Sequence, residues 1–178
     1  MDLEEKTVQK NYIYRGKIVN LRCDDAVLPD GRPCKREVIE HSGGAAVLCV
    51  LDGKVALVRQ FRYAYGEVIY EIPAGKLNAG EDPMLAAKRE LEEETGLQAE
   101  RLVHLFTLYP TPGYTNEKIY IYEAEGVQAG AQHLDEGEFL NVEYMPVRDA
   151  LSMVENGTIR DAKTIVALLD YARKNPAV

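Results

Sequence analysis

Residues 75–97 read GKLNAGEDPMLAAKRELEEETGL. Asp82 followed by Pro83 is a helix start, an N-cap oxygen and then proline in the first turn. From Met84 the pattern is helical, and Gly96 is the stop. At about 100° per residue, Met84, Ala87 and Leu91 form one apolar stripe that can pack on a sheet. Glu90, Glu93 and Glu94 stand at i, i+3 and i+4, so their carboxylates converge on the neighbouring face.

Like charges at that spacing repel by a few tenths of a kcal/mol per pair. Arg89 can neutralise Glu93 across one turn but cannot satisfy all three. A hard divalent cation can, because Mg²⁺ takes oxygen ligands and is usually held by one or two carboxylates together with substrate phosphates. The competing reading is a solvated acidic helix face.

The rest of the stretch decides between them. Gly75, Glu81, Arg89, Glu90, Leu91, Glu93, Glu94, Gly96 and Leu97 fill every specified position of G-x5-E-x7-R-E-U-x-E-E-x-G-U, where U is aliphatic. This resembles the Nudix box, the signature of the Nudix hydrolases. At average residue usage, a chance match in a chain of this length is on the order of one in ten million.

The chain of 178 residues reads as one domain, or one domain with a short appendage. Its apolar and charged fractions, 46% and 28%, are those of an ordinary globular protein. A net charge of −8 disfavours a nonspecific role on nucleic acid or on an anionic membrane. It leaves anionic substrates open, since bound cations invert the local field. No apolar run approaches the ~18–20 residues of a membrane span. The start MDLEEKTVQK lacks a signal-peptide core, so the expected location is cytoplasmic. Cys23, Cys34 and Cys49 contain no CxxC pair and read as small buried residues in a reducing compartment. His41, His104 and His133 show no ligand spacing.

Before the box, strands are expected around 19–28 and 35–41, joined by a turn at Pro29-Asp30-Gly31. Residues 1–42 are thus an N-terminal β-hairpin region, and 43–178 the main domain. In that domain Ala45–Leu51, Val55–Phe61 and Val68–Ile72 read as strands, with Asp52-Gly53 as a hairpin turn. After the helix, strands are expected at 102–109, 119–123 and 139–144, with an acidic loop over 124–137. Helices over 147–155 and 162–174 close the chain, the second with Ile165, Leu168, Leu169 and Ala172 as its core stripe. This order suits an α/β/α sandwich around a mixed β-sheet, the architecture that the resemblance also implies.

The resemblance implies hydrolysis of a nucleoside diphosphate linked to another group, with metal-activated water attacking a pyrophosphate phosphorus. Glu90 and Glu94 are then the principal metal ligands. Glu93 is a ligand or an outer partner with a catalytic part, and the Ala74 carbonyl is a further ligand. Gly75 leaves room for that carbonyl. Glu81 and Arg89 fix the loop to the helix, and Gly96 ends it. Mg²⁺ is the expected ion, with Mn²⁺ as a substitute.

Three features resemble the ADP-ribose pyrophosphatase subgroup: Pro112 in TPG, fifteen residues after Leu97; Gln60-Phe61-Arg62; and Glu71-Ile-Pro-Ala-Gly75. Asp135-Glu-Gly-Glu-Phe139 resembles the loop that closes over its substrate. There Glu138 matches a further metal ligand and Glu136 a general base, and the two roles can be exchanged. Arg36 and Arg62 are candidates for holding the diphosphate and terminal ribose, because guanidinium pairs bidentately with phosphate. For each, a solvated or structural arginine is the competing reading. The chain has no Trp, so a tyrosine or aliphatic residue of the hairpin is left to stack adenine. The subgroup commonly swaps its N-terminal strands, and the KREVIE strand has an edge needing a partner, so a homodimer is expected. Tyr114 matches a marker of the dinucleoside polyphosphate group and keeps other nucleoside diphosphate derivatives in view. A non-catalytic ADP-ribose sensor is disfavoured by the complete set of box glutamates.

Overall fold

A computed structural model describes residues 2–176. In chain order the elements are β1 (Lys6–Gln9), β2 (Tyr12–Arg15), β3 (Val19–Val27), β4 (Pro33–His41), β5 (Gly44–Leu48), β6 (Val50–Leu51), β7 (Lys54–Arg62), β8 (Glu67–Glu71) and β9 (Ala74–Lys76). Then come α1 (Pro83–Thr95), β10 (Leu97–Leu108), β11 (Ile119–Ala129), β12 (Leu140–Pro146), α2 (Val147–Glu155) and α3 (Ala162–Lys174). The described chain forms two compact units, one of residues 2–43 with 109–118 and one of 44–108 with 119–176. No helix among the described residues is long and apolar enough to cross a membrane.

In the first unit β3 and β4 form the expected antiparallel hairpin, from Val19 opposite His41 to Val27 opposite Pro33. On the other edge of β3, β1 and β2 lie one after the other. Both are four-residue exposed strands that carry no clean alternation, which is why sequence pattern missed them. The outer edge of β4 is met at Ile39, whose N–H donates to the Tyr114 carbonyl at 2.7 Å. The Asn116 N–H returns a bond to the Ile39 carbonyl at 3.2 Å.

The second unit carries two four-stranded sheets. One has the order β10-β11-β5-β9, with β11 and β5 parallel; the other is β12-β7-β6 with β8 also on β7. Successive β5 residues go to opposite cores: Ala45 and Val47 join α1 residues Ala87 and Leu91. Ala46 and Leu48 join α2 and α3 residues Ala150, Ala167 and Leu168. A strand covered by helices on both faces must be apolar throughout, which accounts for Ala45–Leu48. The run expected as one strand to Leu51 divides at Cys49, and Val50–Leu51 form β6 in the other sheet with Leu51 exposed. The architecture is the α/β/α sandwich. Asp52 and Gly53, with φ of 51° and 73°, make the two-residue turn between β6 and β7.

Several expectations are corrected. Residues 124–129 are strand rather than loop, because β11 pairs with β10 as far as Ala129 opposite Leu97. The three-residue β9 has no counterpart among the expected strands; it contains the box glycine, Gly75, which pairs with Ala45 of β5. Met84 is exposed and Ala86 takes its place in the α1 stripe, while Leu169 is exposed and Thr164 and Ala167 face the α3 core. The three cysteines are unbridged, but only Cys49 is buried.

Candidate active site

Both ends of α1 are built as the sequence indicates. Asp82 accepts hydrogen bonds from the Met84 and Leu85 N–H groups at 2.9 and 3.1 Å. Gly96 has a φ of 71° and donates to the Glu92 carbonyl at 2.8 Å. β9 runs alongside the helix and brings Ala74 and Gly75 to its acidic face. The Ala74 N–H donates to Glu94 Oε2 at 2.8 Å. A Cβ on Gly75 would lie 2.0 Å from the Glu90 carboxyl carbon, so only glycine fits beside that carboxylate.

Arg89 gathers the neighbouring acids. Its Nη1 donates to Glu90 at 2.7 Å and Glu93 at 2.8 Å, and its Nε donates to Glu81 at 3.0 Å. Glu81 in turn accepts from the Asn78 N–H at 2.8 Å, closing the loop before α1 onto the helix. Glu94 receives no arginine hydrogen bond, yet it is 1% exposed. Burial therefore pushes its carboxyl up to about 8, with the nearby charges of Glu90 and Glu138 adding to the effect and the Ala74 N–H opposing it. Glu90 is raised by burial too, helped by Glu93 and Glu138 and opposed by Arg89.

The acidic loop is strapped to the end of α1. The Gly130 N–H donates to the Gly96 carbonyl at 2.6 Å, and the His133 N–H to the Glu93 carbonyl at 3.0 Å. Gln132 Nε2 donates to the Glu94 carbonyl at 2.5 Å. These bonds satisfy carbonyls that a helix end leaves open. A Cβ on Gly96 would meet the Gln132 nitrogen at 2.8 Å, so the second box glycine seats this strap as well as turning the chain. Glu138 accepts from Gln60 Nε2 at 3.4 Å and lies within electrostatic reach of Glu90 and Glu94; Glu136 is exposed on the same loop.

Arg62 sits in a bidentate pair with Glu71, Nε to Oε1 at 2.5 Å and Nη2 to Oε2 at 2.8 Å. Lys163 Nζ reaches Glu71 Oε2 at 2.5 Å. Sequence reasoning quoted Glu71 as part of a motif without assigning it a partner, and it passed over Lys163 and Gln132. Nothing local marks a lysine in the first turn of a C-terminal helix, because its partner is 92 positions away.

The other two candidates lie in the first unit. Arg36 is paired through Nε and Nη2 with Glu5 at 2.8 and 2.6 Å. Arg36 and Pro112 line one cavity of about 290 Å³ together with Glu37, Asp24 and Tyr114.

The donor set of the second unit fits a hard divalent cation. Glu90 and Glu94 are both buried carboxylates, and Gly75 leaves the space the Glu90 oxygens need. Among the described residues no three Asp, Glu, His or Cys side chains already form a finished metal cage. Oxygens of Glu90 and Glu93 are turned to Arg89, and one of Glu94 to the Ala74 N–H.

Residues 40–168 match the NUDIX domain model, whose enzymes generally need a divalent metal, and residues 5–39 match the nucleoside diphosphate sugar hydrolase N-terminal domain. The chain is 44% identical to an ADP-ribose pyrophosphatase of Bacillus subtilis (strain 168), an alignment covering 93% of this chain and 91% of the relative. It is 40% identical to the methanol dehydrogenase activator of Bacillus methanolicus, covering 93% and 91%. In fold it is similar to a crystal structure of an ADP compounds hydrolase, with a TM-score of 0.85, 21% identity and full coverage of both chains. With its complete box on a helix whose carboxylates are buried beside a glycine-lined strand, the chain belongs to the Nudix family of hydrolases.

Proposed function

We propose that this Nudix hydrolase cleaves the pyrophosphate bond of ADP-ribose with Mg²⁺, giving AMP and ribose 5-phosphate. The observation that carries the chemistry is the pair Glu90 and Glu94, buried carboxylates within electrostatic reach of Glu138. The substrate reading is supported by the 44% identity to an ADP-ribose pyrophosphatase and by Pro112, Gln60-Phe61-Arg62 and the Glu71–Gly75 stretch.

Glu90, Glu94 and the Ala74 carbonyl would hold the cation, with Glu138 as a further ligand from the loop. Bound there, Mg²⁺ supplies charge neutralisation to diphosphate oxygens and acidifies water. Glu136 takes the proton of the attacking water as its oxygen bonds to phosphorus, and the bridging P–O bond breaks. Glu93 supports the site through Arg89, and Glu81, Arg89, Gly75 and Gly96 hold helix, strand and loop in register. Arg62 and Arg36 are the residues we assign to the diphosphate and terminal ribose, and Pro112 is a further substrate-binding residue.

Residues 1–42 act as a dimerisation region, and the working form is a homodimer. Two features support this: exposed Val8, Ile13 and Tyr14 on β1 and β2, and an outer edge of β4 that no described strand pairs from Cys34 to Val38. A monomeric mass in solution would sink that part. Three unbridged cysteines support a cytoplasmic setting. A nucleoside diphosphate sugar is the second reading, favoured by the match of residues 5–39.

The deciding experiment is turnover of ADP-ribose, ADP-glucose, GDP-mannose, NADH and diadenosine polyphosphates with Mg²⁺, with products resolved by chromatography. AMP forming fastest from ADP-ribose and lost with EDTA is the expected result. Faster cleavage of GDP-mannose would replace the substrate, and tight ADP-ribose binding without products would make the protein a sensor.

A further inference from the structure

The second unit holds a charge chain, Arg62–Glu71–Lys163–Asp161, of which the hydrolytic reading uses only Arg62. Glu71, at the end of β8, is 2% exposed. Burial works to raise its carboxyl, and Arg62 and Lys163 together outweigh it, holding Glu71 below the ordinary glutamate value. Lys163 lies in the first turn of α3 and is itself buried; its ammonium bridges Glu71 Oε2 at 2.5 Å and Asp161 Oδ1 at 3.0 Å. Asp161 caps the same helix, accepting from the Thr164 N–H and hydroxyl at 3.0 and 2.6 Å. The Thr164 hydroxyl oxygen then accepts the Ile72 N–H at 2.8 Å, two residues before Ala74.

The chain has a direction. Asp161, fixed to the α3 backbone, fixes Lys163; Lys163 fixes one oxygen of Glu71; and Glu71 fixes two nitrogens of Arg62. Arg62 is the most exposed member, its side chain 39% exposed against 16% for Asp161. Nη1 stays outside the Glu71 pair, and the charge of Glu94 acts on the guanidinium. A guanidinium locked along one edge keeps its other donors pre-aimed, so little side-chain entropy is lost when an anion binds.

We propose that Lys163 is a positioning residue for diphosphate binding: through Glu71 it orients Arg62, so that α3, far in sequence from the Nudix box, sets substrate affinity. This rests on the reading that Arg62 binds the diphosphate of a nucleoside diphosphate derivative. If only Arg62–Glu71 contact mattered, the lysine would be a stability element with no bearing on KM.

The test is steady-state kinetics with ADP-ribose on Lys163→Met, Lys163→Arg, Arg62→Ala and the double Lys163→Met/Arg62→Ala. Loss of ground-state binding raises KM while sparing kcat, so Lys163→Met should raise KM about tenfold with kcat changed less than about threefold. Lys163→Arg should restore KM to within about threefold. Residues acting through one another are not additive, so the double variant should be no worse than Arg62→Ala. An unchanged KM in Lys163→Met, or effects that add in the double, would overturn the proposal.

Removing one partner of a buried pair can unfold a protein. If Lys163→Met does not fold, Lys163→Gln, which removes the ammonium but leaves Glu71 paired with Arg62, decides: a raised KM supports the proposal, and a wild-type KM refutes it. If the unsubstituted protein ignores ADP-ribose, the substrate reading has failed instead. KM is then read on whichever nucleoside diphosphate derivative is cleaved, since the diphosphate is common to all of them.

Discussion

The carboxylate of Glu90 fills the space that a side chain at Gly75 would occupy. A Cβ there would stand 2.0 Å from both the carboxyl carbon and one oxygen. The glycine opening the box is thus set by side-chain packing across the strand–helix junction and not by a left-handed backbone, since its φ is not positive.

Gly75→Ala should therefore displace Glu90 while leaving α1, which Asp82 and Gly96 cap independently. A shift of about 1 Å in a catalytic group can cost about 10²-fold in rate. The variant is expected to lose at least that in kcat/KM and to need more Mg²⁺, with its far-ultraviolet circular dichroism unchanged. Normal turnover at ordinary Mg²⁺ would remove Glu90 from the site.

Glu94 gives a pH dependence with a definite sign. Its folded carboxyl is pushed up from 4.5 to about 8, so between those values the folded protein binds more protons than the unfolded chain. Stability of the metal-free protein should fall as pH rises through that window, by an amount on the order of 5 kcal/mol at most. A bound cation compensates the ionised carboxylate, so the gain in Tm on adding Mg²⁺ should grow from pH 6 to pH 8 (about two units within the window). Glu94→Gln should flatten both trends and abolish metal-dependent turnover. A metal-free Tm that climbs with pH across this range would contradict the assignment.

The parts that were legible in sequence are those whose partners are near in the chain. Asp82, Pro83 and Gly96 terminate α1 through local hydrogen bonds, and the spacing of Glu90, Glu93 and Glu94 follows from helix geometry alone. The Asp52-Gly53 turn is equally local. What escaped depends on distant pairing. β9 exists because β5 lines up with it, and Lys163 matters because β8 delivers Glu71 beneath α3. Gln132 acquires its partner only when the strand β11 runs on to Ala129 and returns the chain to the end of α1. Arg62 is a candidate for the diphosphate and terminal ribose because guanidinium pairs with phosphate; the pair it makes with Glu71 has no local signal.

Acid should weaken the fold through Glu71. Its folded value is depressed, so its contribution is present above the ordinary glutamate range and is lost as pH falls through the folded value. Denaturation midpoints in urea should drop as pH is lowered from 6 to 3 (about three units spanning the carboxylate range). In Glu71→Gln the starting stability should be lower by roughly 3–5 kcal/mol, since Arg62 and Lys163 lose a buried partner. That variant should also show a shallower acid dependence. A Glu71→Gln protein as stable as the original at neutral pH would mean that the pair is not held as described.

The two loop glutamates can be told apart by what each touches. Glu138 is half-buried, accepts from Gln60, and its charge acts on Glu90 and Glu94; Glu136 is exposed. A residue that shares a cation with α1 should, when neutralised, raise the Mg²⁺ concentration needed for half-maximal rate. A residue that only takes a proton should lower kcat without moving that concentration. Glu138→Gln is expected to do the first, and Glu136→Gln to slow kcat about 10²–10⁴-fold at unchanged Mg²⁺ requirement. The strap through Gly130, Gln132 and His133 lies upstream of both, so neither substitution should alter Tm by more than surface changes do, about 0.5 kcal/mol in stability. The opposite pattern, with Mg²⁺ requirement moving at Glu136 and only kcat at Glu138, would exchange their roles.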